Sequence, residues 1–188
     1  MPSVKKQKHS GYKVTVLDYS ILGLLAGNSF TGYQIRMIFE KTAMGSFSGS
    51  PGTIYPALAR LEKQGLIGKK DVAGKNTELF VITRTGMSAL RTWILTSPTR
   101  DEITKGLDAL SLKIAFLDLA DDGKKRSKFL IALSEALQQY ISELEAYYKS
   151  AAANMPKGGR LAYEHGIESY KLTLKWVRKV QAAYPTKP

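Results

Sequence analysis

The sequence predicts a mainly α-helical protein with one small β-hairpin: an N-terminal winged helix-turn-helix followed by an α-helical dimerisation domain. Three observations carry the prediction. Three short helical patterns precede the first strand signal. A single pair of extended runs flanks a polar turn and is followed by renewed helical spacing. The second half repeats its apolar residues by three and four, with no strand signal. The expected boundaries are 1–13 for a basic tail, 14–98 for the winged helix and 99–188 for the helical part.

Composition narrows the class. The chain has 188 residues, 44% of them apolar, enough to bury a core in one domain or two small ones. Its formal charge is +12, from 28 Lys and Arg against 16 Asp and Glu. Such an excess favours a polyanionic partner, nucleic acid or an anionic surface. Residues 1–96 hold 13 basic and 5 acidic side chains, residues 97–188 hold 15 and 11, so the excess lies mainly in the first half. Cysteine is absent, which excludes disulfides and thiolate metal sites. No apolar run is long enough to span a bilayer, and Ile21–Ala26 is too short for a signal peptide, so no membrane partner and a cytoplasmic location are expected.

Taken in order, Lys5, Lys6, Lys8, His9 and Lys13 make the first stretch a basic tail with little to bury. Asp18 is a candidate cap for a buried helix reaching Ala26, with Ile21, Leu22, Leu24 and Leu25 nearly all apolar and Gly27-Asn28 stopping it. Thr31 and Gln34 have capping-box spacing, opening a second helix with Ile35, Ile38 and Phe39 inward. After the glycine- and serine-rich stretch Met44 to Gly49 comes Ser50 to Lys70, which reads as one capped helix running into a strand. Ser50 suits the N-cap, Pro51 the first helical position and Gly65 the left-handed C-terminal cap. Pro56 falls within the first turn and a half, where it tightens the turn. Ile54, Leu58 and Leu61 share one face, and Thr53, Pro56, Arg60 and Lys63 the opposite one.

Lys69 and Lys70 lead up a strand, Asp71 to Asn76 is a polar turn carrying Lys75, and Leu79 to Ile82 is the return strand. Helical spacing resumes with Met87, Leu90 and Ile94 and ends at Ser97-Pro98. Leu107, Leu110, Ile114 and Leu117 then give one stripe, which Asp121-Asp122-Gly123 breaks. A heptad-like stripe continues from Leu130 through Leu133, Leu137, Tyr140 or Ile141, Leu144, Tyr148 and Ala151 to a break at Pro156–Gly159. Tyr163, Ile167, Tyr170, Leu174 and Val177 form the last. A helix from Lys124 to Asn154 spans about 45 Å, longer than a small domain needs for itself, which predicts a two-fold homodimer through this region.

Winged helices place the second helix of the helix-turn-helix in the major groove, with flanking residues on phosphates. Arg60 suits a guanine edge or a phosphate, Lys63 a phosphate, and Ser50 and Thr53 the backbone near a helix N-terminus. Tyr55 is balanced between packing on the second helix and touching phosphate. Catalytic material is sparse. His9 and His165 are the only histidines, the glycine-rich stretch lacks a phosphate-loop ending, and Asp118, Asp121 and Asp122 lack calcium-site spacing. No catalytic site, metal or cofactor is expected.

The run Ser50-Pro51-Gly52-Thr53-Ile54-Tyr55-Pro56-Ala57-Leu58, continuing as Arg60-Leu61-Glu62-Lys63-Gln64-Gly65-Leu66-Ile67, resembles the PadR family of bacterial transcriptional regulators. Thr31-Gly32-Tyr33-Gln34-Ile35 and Thr83-Arg84-Thr85-Gly86 extend the resemblance over roughly residues 17–96. It implies a homodimeric repressor on palindromic double-stranded DNA, with Tyr33, Thr53, Tyr55 and Arg60 at DNA-facing positions. A basic-aromatic pair that the family carries into the second wing strand is replaced by Thr77-Glu78-Leu79-Phe80, which shifts the expected wing contact to Lys69, Lys70 and Lys75. The resemblance also implies a small aromatic or cationic effector near the dimer interface, for which Trp93, Tyr140 and Trp176 are candidates, against the alternative that these aromatics are core. A protein-interaction adaptor on a winged-helix scaffold is the other function class the sequence leaves open.

Overall fold

The computed structural model describes residues 13–42, 51–71 and 78–185. The chain divides into two compact units, Met1–Met87 and Ser88–Pro188. In the first, helix α1 (Val16–Leu25) is capped by Thr15. Asp18, expected as the cap, is instead the third helical residue of a capping box. Its Oδ2 accepts from the Thr15 backbone N–H at 2.8 Å and hydroxyl at 2.7 Å, while its own N–H donates to Thr15 Oγ1 at 3.2 Å. The box satisfies two donors at once, which a lone Asp18 cap does not. Helix α2 (Gly32–Lys41) opens with the expected Thr31–Gln34 box.

The next helical segment begins at Pro51, where the sequence places it, but its first turn is 3₁₀ and not α. Pro51–Thr53 is a 3₁₀ turn, and α3 runs Ile54–Lys63 with no side-chain cap at Thr53. Pro56 has no N–H to offer the Gly52 carbonyl, so the entry turn is tight. Ser50, the expected cap, lies outside the described residues. The other end of α3 is as predicted. Gly65 adopts φ +67°, its N–H donates to Glu62 O and the Leu66 N–H to Leu61 O, both at 2.9 Å. This is a Schellman closure.

Strand β1 (Ile67–Asp71) pairs antiparallel with β2 (Glu78–Ile82), Lys69 opposite Phe80 and Asp71 opposite Glu78. Phe30 bridges the outer side of β2 through two backbone bonds with Phe80. The polar turn with Lys75 lies outside the described residues. Ile21, Leu22, Leu25, Ile35, Phe39, Ile54, Ala57, Leu58, Leu61, Leu66 and Ile67 are buried together. Each large member contributes about 1.5–3 kcal/mol by leaving water. This core fixes α3 against α1, α2 and β1.

Helix α4 (Arg84–Leu95) leads into the second unit. There follow α5 (Arg100–Lys105), α6 (Leu107–Ala115), a 3₁₀ turn at Leu117–Leu119, α7 (Gly123–Ala151), a 3₁₀ turn at Ala152–Asn154 and α8 (Lys157–Ala183). The 29-residue α7 matches the long helix expected. Gly158 and Gly159, expected in a break, lie inside the first turn of α8, since Pro156 alone stops the preceding segment. Antiparallel α7 and α8 bury Leu130, Leu133, Leu137 and Ile141 against Ile167, Leu174 and Val177. Helix α5 and the burial of Lys113 are not legible in the stripes.

Candidate nucleic-acid interface

The site is the outer surface of α3 with the start of α2 and strand β1. Burial of Ile54, Ala57, Leu58 and Leu61 turns the other positions of α3 outward: Thr53, Tyr55, Pro56, Ala59 and Lys63 are exposed. The 3₁₀ entry turn Pro51–Thr53 precedes α3, and Thr53 makes no side-chain cap to it. Tyr33 at the start of α2 is 59% exposed, and the Arg36 guanidinium lies 5.5 Å from its ring centroid. Tyr55 is 51% exposed, yet its ring edge lies against Gly32, where a β-carbon would come within 2.9 Å of Cε1. Packing and exposure are therefore both true of Tyr55, and the two tyrosines stand at the junction of α2 and α3.

Arg60 differs from the other α3 candidates. Its Nη2 lies 3.4 Å from Oδ1 of Asp18, a carboxylate with no exposed surface, so the guanidinium is tethered to α1. Lys63 and Lys70 are exposed. Lys69 is exposed too, but its ammonium lies between two carboxylates, 3.4 Å from Glu62 Oε1 and 3.2 Å from Glu78 Oε2. The hydrogen bond that Lys69 donates to Glu78 and the field of Glu62 raise the Lys69 pKa above the usual lysine value. The Phe80 ring lies 5.8 Å beneath it. Ser50 and Lys75 lie outside the described residues.

Sequence reasoning found the helix face but not the pairing of Arg60 with Asp18 or of Lys69 with Glu62 and Glu78. An aspartate amid Ile21, Leu22 and Leu25 was a signal for a buried carboxylate in need of a cation. Glu62 next to Lys63, with Lys69 seven residues on, gave no comparable signal, because the chain reversal at Gly65 between α3 and β1 is what returns Lys69 to the end of α3.

The effector candidates have separate surroundings in the second unit. The Trp93 ring lies 5.5 Å from the Lys113 ammonium. Tyr140 meets Tyr170 edge-on at 4.9 Å, with the Arg100 guanidinium 5.0 Å above its ring. Trp176 is 38% exposed on α8. A groove of about 1010 Å³ between α4 and the start of α7, walled by Arg91, Leu95, Ala120, Asp121, Lys124 and Arg126, includes none of the three. Among the described residues no group of acids and histidines is arranged to hold a metal, and no helix is long and apolar enough to cross a membrane.

Residues 21–92 match the model of the transcriptional regulator PadR-like family. The chain is similar to the negative transcriptional regulator PadR of Bacillus subtilis (strain 168), 25% identical over 178 residues, which cover 89% of this chain and 96% of that protein. The crystal structure of Bacillus subtilis PadR in complex with operator DNA aligns over 93% of this chain and 100% of its own, at 24% identity and a TM-score of 0.43. The structure of the same protein in complex with p-coumaric acid aligns over 90% and 98%, at 24% identity and a TM-score of 0.42.

Proposed function

Residues 21–92 are a domain of the transcriptional regulator PadR-like family, and from that premise we propose that this chain is a homodimeric, cytoplasmic repressor that binds palindromic double-stranded DNA through α3. The observation that carries the reading is the outward face of α3, where Thr53, Tyr55 and Lys63 stand exposed opposite a fully buried apolar face. A helix buried on one side and polar, aromatic and basic on the other suits the major groove. Tyr33, Arg60, Lys63 and Lys70 are assigned to phosphate or base edges, Thr53 and Tyr55 to the backbone at the helix N-terminus, and Ser50 and Lys75 to flanking phosphates. Residues 14–98 serve DNA binding and 99–188 dimerisation, with α7 and α8 the partner surface. The negative sense of regulation follows the Bacillus subtilis relative. Release by a small effector belongs to the same proposal, with the aromatics of the second unit as its candidates and no residue given a catalytic role.

Two α3 helices on one dimer would enter successive major grooves, about 34 Å apart. The deciding experiment is selection of binding sites from a random duplex library, with light scattering to give the mass in solution. A two-fold symmetric consensus bound by a dimer is the expected result. Enrichment of no sequence, or a monomer that binds without symmetry, would overturn the proposal.

A further inference from the structure

The described part of the wing does not carry the positive charge its sequence suggests. Lys69 is held on one side by Glu62, in the last turn of α3, and on the other by Glu78, at the start of β2. The register accounts for this. Lys69 stands opposite Phe80, so Glu78 is its diagonal neighbour, within reach of two long side chains. Asp71 sits directly opposite Glu78, adding a third carboxylate to the same end of the hairpin. Lys69 with Glu62 and Glu78 sums to one negative charge, and Lys70 and Asp71 together add nothing to it.

We propose that Glu62 and Glu78 are specificity-determining residues: they hold Lys69 away from DNA phosphate, so that sequence-independent affinity is low and binding depends on α3. The inference rests on the DNA-binding reading above. Phosphate contacts bind all sequences alike, whereas base contacts discriminate among them. Neutralising a wing lysine internally removes affinity for every duplex and leaves the contribution of α3 intact. An additional effect follows from the net charge: the two carboxylates oppose the approach of phosphate even where Lys69 would otherwise attract it.

The test is the salt dependence of binding to a 30-base-pair random-sequence duplex, measured by fluorescence anisotropy, with circular dichroism confirming that each variant is folded. Each phosphate newly neutralised steepens the slope of log K against log salt by about 0.9. Lys69→Ala in the otherwise native chain is expected to leave the slope unchanged. The double variant Glu62→Gln/Glu78→Gln is expected to steepen it by about 0.9 per subunit. It should also tighten random-duplex binding several-fold and narrow the preference for the selected site. Adding Lys69→Ala to that double variant should return the slope to its native value. A native-background Lys69→Ala that loses slope, or a double variant whose slope does not change, overturns the proposal. So does a steepened slope that persists without Lys69, since general charge removal then explains it. Failure of the unmodified protein to bind any duplex would instead defeat the DNA-binding reading itself.

Discussion

The Arg60 guanidinium, on the helix assigned to the major groove, lies 3.4 Å from the buried carboxylate of Asp18 on α1. Asp18 thus closes the first turn of α1 and engages α3 with the same side chain. The two roles predict different losses. Asp18→Ala removes a capping acceptor and leaves a guanidinium without its carboxylate. Because Arg60 is 42% exposed, water compensates in part, and a loss of about 2–3 kcal/mol in unfolding free energy is expected in urea titrations.

Arg60→Ala separates binding from folding. If Arg60 reads a base, the variant should lose about 1–3 kcal/mol of discrimination at one position of the selected site, in competition binding against duplexes changed at that position. A uniform weakening on all sequences would assign it to phosphate. A folded variant with native affinity would remove Arg60 from the interface.

Gly86 is the closest approach in the hairpin junction. A β-carbon there would lie 2.0 Å from the Leu66 carbonyl oxygen and 3.0 Å from Ile82 Cγ1. Neither the carbonyl nor the helix can yield, because Thr83 ties the two. Its N–H donates to Leu66 O at 3.1 Å, its hydroxyl donates to the neighbouring Gly65 O at 2.7 Å, and its Oγ1 accepts from the Gly86 N–H at 3.0 Å. Gly86→Ala should therefore cost at least the upper part of the ~1–3 kcal/mol range for overpacking, read as a fall in melting temperature. A variant that melts with the native protein would sink this account of the junction.

What the sequence made legible was governed by local chemistry. The Thr31–Gln34 box, the Gly65 closure, the hairpin and the long α7 follow from neighbours within a few residues. The outward face of α3 was legible for the same reason: a period of 3.6 residues separates Ile54, Leu58 and Leu61 from Tyr55 and Lys63. What escaped depends on partners distant in the chain. Asp18 meets Arg60 across 42 residues, and Lys69 meets Glu78 only through strand register. Lys113 lay next to a stripe that named Ile114, yet Leu112 and Lys113 are the more deeply buried. A charged residue counts as outward in any periodicity argument, so a lysine neutralised by its surroundings is invisible to it.

Glu102 makes acid stability depend on one carboxylate. Partial burial works to raise its pKa, but the Thr99 N–H, at 2.8 Å, and the Lys113 ammonium outweigh it and leave the carboxyl below its ordinary value. A carboxylate whose folded pKa lies below its unfolded one stabilises the fold above the unfolded value, near 4.3, and loses that contribution as pH falls through the folded one. The native protein should therefore lose melting temperature more steeply below about pH 5 than Glu102→Gln does. The two curves should converge in acid. Parallel curves across that range would refute the assignment.

The partner of Glu102 sharpens the test. Lys113 has 1% of its surface exposed, and its Nζ lies 2.9 Å from Glu102 Oε1, 3.3 Å from the Thr96 carbonyl oxygen and within 6 Å of the Trp93 and Phe129 ring centroids. An ammonium so enclosed has exchanged its hydration for a carboxylate, a carbonyl and two aromatic faces. Removing one partner of a buried pair is costly, whereas replacing both charges by groups of similar volume is often neutral. Glu102→Gln alone leaves the cation buried and should cost about 2–4 kcal/mol, allowing for the part of Glu102 that water reaches. Lys113→Met keeps the volume and the aromatic contacts, and should cost less. The double variant should be more stable than Glu102→Gln, giving a coupling of about 1–3 kcal/mol in a double-mutant cycle measured by urea unfolding. Additive losses would mean that the pair carries no interaction, and that the aromatic faces and the Thr96 carbonyl alone hold the lysine in place.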